Sequence, residues 1–256
     1  LISPEQMKEI KSAAKSDIKA GGPDVHVQAV EAHKVWWEKG YTGKNVIVAV
    51  LDSGTNTNHL DLKDHLWTGY IDTNNDGTPD SYVNGWNFIS NNANITDDYG
   101  HGTHCAGIVC GGGTAIVTTG IAPDASLMTV KTINRTGGGS VAQMLKGVQF
   151  AVENGADVLS MSLGFKNNQL TTTQKEEIRA AFDNVLAANV VVCAAAGNDG
   201  DTYGAPNNVD YPAACPAPWR NPDQTLEGGL SSVICVGAYD LNESSRGPST
   251  WEGTSY

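Results

Sequence analysis

Asn45-Val-Ile-Val-Ala-Val-Leu51 runs directly into Asp52-Ser53-Gly54, and this stretch decides the fold. The run has strand length, is rich in β-branched residues and is not broken by alternating polar positions, as expected of a strand covered on both faces. Residues 126–132, 156–163, 189–196 and 232–238 read the same way. Amphipathic stretches of helical period lie between them. Ser140 caps a helix that sets Val141, Met144, Leu145, Val148 and Val152 on one face and ends at Gly155. Thr173 and Glu176 have capping-box spacing ahead of Ile178, Ala181, Phe182, Val185 and Leu186. Strands alternating with helices of this length join through right-handed crossovers. The prediction is an α/β fold of three layers, a parallel β-sheet with helices on both faces. Chemistry in such a sheet gathers beyond the carboxyl ends of the strands, and Asp52 stands at one of them.

The chain of 256 residues, 40 % hydrophobic and 17 % charged, is long and apolar enough to bury a sizeable core. Sixteen Lys and Arg against 28 Asp and Glu give a net charge of −12, a sign that repels phosphate backbones and anionic lipid head groups. Neither nucleic acid nor membrane is expected as a partner. The apolar run Val46 to Leu51 is far short of the roughly 18 residues of a membrane span, and the first residues lack the layout of a signal peptide. Five cysteines include no Cys-x-x-Cys pair, which argues against a structural zinc. Cys215 and Cys235 flank residues 216–231, and a disulfide between them would close that segment.

Charge is unevenly spread. Eight Asp against the single Lys63 fall between Asp52 and Asp98, and cation binding is one reason for such clustering. Asp72-Thr-Asn74-Asn-Asp76-Gly77-Thr78-Pro-Asp80 puts oxygen side chains at loop positions 1, 3, 5 and 9 with Gly at 6, the spacing that wraps a hard cation. Position 12 is Val83, so the bidentate Glu of a full EF-hand is absent. The expected ligands for Ca²⁺ are Asp72, Asn74, Asp76, Thr78 through its carbonyl, and Asp80; the competing reading is a solvated acidic turn.

Three segments carry chemistry. Asp52 follows the first strand. Asp98-Tyr-Gly-His101-Gly-Thr-His104-Cys-Ala-Gly107 surrounds a histidine with glycines ahead of a small-residue helix, without the Glu of a His-Glu-x-x-His zinc motif. Val190 to Ala196 ends in Gly197-Asn198, a side-chain amide suited to donate to a developing oxyanion. Together, Val48-Ala-Val-Leu-Asp52-Ser-Gly, His101-Gly-Thr-His-Cys-Ala-Gly107 and Ala194-Ala-Ala-Gly-Asn198 resemble the subtilisin-like serine proteases, the subtilases, in that family's chain order. Gly40-Tyr-Thr-Gly43, Gly120-Ile-Ala-Pro123, Ser162-Leu-Gly164 and Ser244-Ser-Arg-Gly-Pro248 extend the resemblance from about Val25 to Pro248.

The resemblance implies a serine endopeptidase, commonly secreted, acting on protein or peptide substrates through an acyl-enzyme. Asp52 would orient the imidazole, His101 would shuttle the proton and Asn198 would bind the oxyanion. His104 would be a structural helix residue, and Cys105 a small residue packed beside it. Gly137, Gly138 and Gly139, with Ser162, Leu163 and Gly164, would flank the substrate backbone. Ser162, Leu163, Gly164, Ala195, Ala196 and Gly197 would wall the pocket for the residue preceding the scissile bond, with Asp210 at its base. Acidic loops before a Gly-Trp-Asn-Phe segment, here Gly85 to Phe88, occur in subtilases that bind calcium.

The family's nucleophile lies in Gly-Thr-Ser-x-Ala and opens a long helix. Gly253-Thr254-Ser255 is followed only by Tyr256, and it follows Ser244 to Pro248 too closely. Ser255 therefore reads as a decoy, with the nucleophile expected beyond Tyr256. On this reading residues 1–24 are an N-terminal extension, linker or remnant of an inhibitory propeptide, and residues 25–256 are a subtilase catalytic domain lacking its C-terminal part. The alternative is a non-catalytic subtilase-fold protein that binds peptides or a partner.

Overall fold

A computed structural model describes residues 25–74, 76–113, 119–198, 209–215, 219–220, 226–227 and 233–237. The expected extension over residues 1–24, Ser255 and the Ser244 to Pro248 segment lie outside these residues.

Two short helices, α1 (Val25–Ala29) and α2 (Ala32–Lys39), lead into β1 (Ile47–Asp52). The short strands β2 (Gly69–Ile71) and β3 (Ser81–Val83) pair antiparallel and carry the acidic loop between them, ahead of β4 (Gly85–Asn87). There follow α3 (His101–Cys110), β5 (Ser126–Lys131), α4 (Val141–Glu153), β6 (Val158–Met161), α5 (Thr172–Ala187), β7 (Val191–Ala195), the two-residue strands β8 (Trp219–Arg220) and β9 (Leu226–Glu227), and β10 (Val233–Val236). The main sheet has six strands in the order β10-β7-β6-β1-β5-β4, and its paired strands are parallel.

The alternation of β1 explains the three layers. Ala49 and Leu51 point into one core with Met144 and Val148 of α4 and Ile178, Phe182 and Val185 of α5. Val48 and Val50 point into the other, with Cys105, Ala106 and Cys110 of α3. Leu51, Leu159, Ile178 and Phe182 are buried, each stabilising the fold by about 1.5–3 kcal/mol. Truncating one of them, as in Leu51→Ala, costs about 2–5 kcal/mol because a close-packed core cannot collapse onto the gap.

The helix ends follow the sequence closely in one case and not in the other. Ser140 caps α4 and forms a reciprocal box with Gln143. For α5 the box belongs to Thr171 and Gln174 instead of Thr173 and Glu176. Thr171 is extended, and the helix already includes Thr172, so Thr173 lies too far inside to cap. Each strand is also shorter than its apolar run. All five cysteines are free thiols, so Cys215 and Cys235 are not bridged.

Candidate active site

Strand order places the site. β1 lies between β5 and β6, so the segments leaving those two neighbours flank the carboxyl end of β1, where Asp52 is buried with only 1 % of its surface exposed. The Ser53 amide donates to Asp52 Oδ1 at 2.7 Å. His101 is the first residue of α3, and its Nδ1 lies 2.8 Å from Asp52 Oδ1 and 2.9 Å from Oδ2. An ionised Asp52 can only accept, so Nδ1 carries the proton in the neutral ring and Nε2 is left as the acceptor. His101 is partly exposed while its partner is buried, which leaves the ring reachable from one side.

Two glycines let the loop after β1 and the start of α3 meet. A Cβ on Gly102 would stand 2.2 Å from the Gly54 carbonyl oxygen, and one on Gly54 would stand 2.5 Å from the Ile95 carbonyl oxygen. Gly54 also has φ +114°, a conformation strained for any side chain. The helix has no capping side chain at Gly100, and Asp97 supplies the function from three residues upstream. Its Oδ1 accepts from the amides of Tyr99 and Gly100 at 3.1 and 2.8 Å and from Ser53 Oγ at 2.8 Å. Its Oδ2 accepts from the Thr103 amide and hydroxyl at 2.9 and 2.6 Å. Partial burial works against the Asp97 charge, but the Thr103 hydroxyl and the Gly100, Thr103 and Tyr99 amides outweigh it and hold the carboxyl down at about 2.

Lys131 ends β5, in register with Asp52. Its ammonium is buried, donating to the Ser53 carbonyl and, at 2.5 Å, to Asp98. Asp97, Asp98, Ser53 and Lys131 are thus working parts of the site that reading by motif passed over. The available signals were an Asp shortly before a helix start and a lysine closing an apolar strand. They also account for part of the acidic clustering.

Cys105 Sγ lies 3.8 Å from His101 Nδ1. Burial pushes this thiol up to about 11, the Ser162 hydroxyl pulling it down and the Asp52 charge pushing it further up. Burial and the Asp52 charge thus both disfavour the thiolate, the nucleophilic form. Asp52, His101 and Cys105 are the only three such donors among the described residues whose ligating atoms lie within 4.8 Å of one another.

The expected substrate-binding segments occupy the same edge of the sheet. Ser162, Leu163 and Gly164 follow β6, with Ser162 and Gly164 exposed; Ala196, Gly197 and the exposed Asn198 follow β7, which ends at Ala195. Gly137 and Gly138 close a turn on Asn134, through Gly137 N to Asn134 O at 3.0 Å and Asn134 N to Gly138 O at 2.8 Å. The chain turns here on Gly137, which has φ +81°. Gly139 follows the turn, so close to the Thr132 carbonyl that a Cβ would stand 2.3 Å from it. Tyr99 spans the gap, its ring 6.5 Å from that of His101 and its hydroxyl 3.0 Å from where a Gly137 Cβ would stand.

A buried carboxylate at the end of the central strand and an imidazole at the start of its packed helix are thus held in direct contact. The sequence model of the Subtilase family matches residues 43–256. The chain belongs to the subtilase family. Subtilisin DY of Bacillus licheniformis is 34 % identical over 217 residues, which cover 85 % of this chain and 64 % of that protein. The major intracellular serine protease of Bacillus subtilis strain 168 is 34 % identical over 189 residues, 73 % of this chain and 53 % of the relative. Subtilisin E of the same strain is 34 % identical over 180 residues, 70 % and 41 %. The matched region of this subtilase thus spans from under half to just under two thirds of each of these relatives. Its three-layer architecture is that of the family, and among the described residues no helix is long and apolar enough to cross a membrane.

Proposed function

We propose that this subtilase is a serine endopeptidase in which Asp52 and His101 activate a serine hydroxyl and Asn198 donates to the oxyanion. The Asp52–His101 pair carries this reading, because a buried carboxylate on Nδ1 fixes the tautomer that general-base catalysis at Nε2 requires. In acylation Nε2 takes the serine proton as the oxygen attacks the peptide carbonyl, and Asp52 stabilises the imidazolium formed. The same proton then goes to the departing amine. Water repeats the sequence on the acyl-enzyme.

The nucleophile is proposed to come from a helix beyond Tyr256, with Ser255 uninvolved. An apolar strip supports this. Val191, Ile234 and Val236 are 44, 53 and 47 % exposed, on the side of the sheet that carries α3, where a parallel sheet needs cover. A small-residue helix opened by the nucleophile would supply that cover. Fluorophosphonate labelling of protein expressed from the complete reading frame tests the proposal. Labelling should map to a serine beyond Tyr256 and vanish in His101→Ala. A label on Ser255 overturns the placement, and no label on the unmutated protein overturns the enzyme in favour of a peptide-binding protein. One relative is named intracellular, so secretion is a separate proposal, checked by fractionating the source cells. An inhibitory propeptide including residues 1–24 belongs to the same reading, and its addition in trans should slow labelling.

Calcium binding between β2 and β3 is proposed with it, as a structural contribution. The donor set is all oxygen and the loop is already wrapped. Asp72 accepts from the amides of Asp76 and Gly77 at 3.2 and 2.6 Å, Asn74 Oδ1 from Asp76 N at 3.0 Å, and Asp76 Oδ1 from Thr78 N at 2.9 Å. Asp80 is held across the loop by Thr73, 2.8 Å from its hydroxyl. The donor set suits a hard cation held by Asp72, Asn74, Asp76, Thr78 and Asp80, which on binding would draw together three carboxylates whose oxygens do not all lie within 4.8 Å of one another.

A further inference from the structure

Strands β6 and β7 are parallel neighbours, so the segments that leave their carboxyl ends run side by side. Residues 209–211 pass between these segments. The Asp210 amide donates to the Ala196 carbonyl at 2.9 Å, and Tyr211 and Phe165 exchange both backbone hydrogen bonds, at 2.9 and 2.8 Å. From α5, Arg179 donates to Tyr211 Oη at 3.0 Å and to the Cys215 carbonyl at 3.2 Å, anchoring the chain that follows. Asp210 is thereby fixed by backbone on both sides.

Its side chain lies against two glycines. A Cβ on Gly164 would stand 2.6 Å from Asp210 Cβ and 3.0 Å from Oδ2, and a Cβ on Gly197 would stand 2.8 Å from Oδ2. Gly164 is exposed and Asp210 is half-buried, so the carboxylate sits beneath glycine walls that leave it in reach. Asn198, the residue after Gly197, is exposed at the same rim. A peptide lying along residues 162–164 by main-chain hydrogen bonds would project alternate side chains toward the protein, one of them toward the Asp210 carboxylate.

Resting on the protease reading, we propose that Asp210 makes this enzyme select Lys or Arg at the residue whose carbonyl is attacked. A cationic side chain reaching between Gly164 and Gly197 pairs with a carboxylate already in place and partly desolvated. Phe or Leu would bury that carboxylate without supplying an opposite charge, and Asp or Glu would be repelled.

The test measures kcat/KM on peptides that differ only at this residue, with protein from the complete reading frame. Lys and Arg should exceed Phe and Leu by about 10–100-fold, with Glu poorest. Asp210→Asn, which keeps the shape, should remove that advantage, bringing kcat/KM for Lys and Arg down to the level of Phe or below. Phe equal to or better than Lys in the unmutated enzyme overturns the selectivity while leaving the protease intact. An equal loss on all peptides in Asp210→Asn assigns the residue to structure and overturns it too. A second readout works without a nucleophile: product-like peptides ending in Lys or Phe, bound to His101→Ala and followed by calorimetry. Tighter binding of the Lys peptide supports the selectivity even where fluorophosphonate labelling fails, and equal binding overturns it.

Discussion

Ser53 Oγ donates to Asp97 Oδ1 at 2.8 Å while accepting the Gly102 amide, also at 2.8 Å. One hydroxyl thus joins the loop that follows Asp52 to the first turn of the helix that begins with His101. Neither residue reaches a reacting atom. Their effect is on the distance between the carboxylate and the imidazole.

Ser53→Ala should therefore act on stability and on rate together. It leaves the buried Gly102 amide without its acceptor, a loss of about 1–3 kcal/mol. A dyad displaced by even a fraction of an ångström should slow fluorophosphonate labelling by about tenfold or more. Thermal melting and labelling kinetics check this. A lower Tm with unchanged labelling would show that the bond holds the fold and not the dyad.

Asp97 makes the site acid-sensitive. Its folded pKa of about 2 lies below the ordinary 3.8, so its contribution to stability is present above the ordinary value and is lost as pH falls through the folded one. The contribution should disappear between about pH 4 and pH 2. In Asp97→Asn, stability at neutral pH should drop, and its fall across that window should be shallower than in the unmutated protein. Circular dichroism during acid titration measures both, and an unchanged slope would refute the assignment.

The sheet was legible because β1 carries its own evidence: an unbroken apolar run can be satisfied only by two covered faces, and Val48, Val50, Ala49 and Leu51 do point into two cores. Asp52 and His101 were legible because glycines and small residues surround them. The supporting shell was not. Ser53, Asp97 and Lys131 act through contacts across 44 and 78 positions of chain, and no local pattern encodes a partner so far away. The cap of α5 was missed for the opposite reason, since Thr171, Thr172 and Thr173 offer three adjacent hydroxyls and only backbone conformation chooses among them.

Cys105 should be chemically quiet. With its thiol pushed up to about 11, almost none is thiolate at pH 7.5, although the sulfur lies close to His101. Cys105→Ala should keep labelling within a few-fold, and iodoacetamide should not inhibit the native protein. Rapid inactivation by alkylation of Cys105, located by peptide mapping, would show a thiolate where burial predicts none.

Chelation tests the acidic loop. If Ca²⁺ binds the folded loop and not the unfolded chain, adding it at 100 times its Kd raises stability by about 2.7 kcal/mol, and EDTA removes that gain. Tm should fall in EDTA and recover with excess Ca²⁺, and Asp76→Asn should blunt both responses. A Tm indifferent to EDTA and Ca²⁺ would leave the loop as an acidic turn closed by its own amides.

The Lys131–Asp98 pair makes an asymmetric prediction. Lys131 is 4 % exposed at its side chain and Asp98 is 50 % exposed. Removing the ammonium in Lys131→Met keeps most of the buried stem and leaves two acceptors, the Ser53 carbonyl and a carboxylate that water can reach, so the loss should be about 1–3 kcal/mol. Removing the carboxylate in Asp98→Ala leaves a buried cation with one carbonyl partner, and an uncompensated buried charge costs about 3–5 kcal/mol. Asp98→Ala should therefore lower Tm more than Lys131→Met, and the double variant should recover part of that loss. Urea unfolding of the three variants measures the order. If Lys131→Met proves the more damaging, the ammonium's bond to the Ser53 carbonyl, and not its charge pair, is what holds the loop behind Asp52.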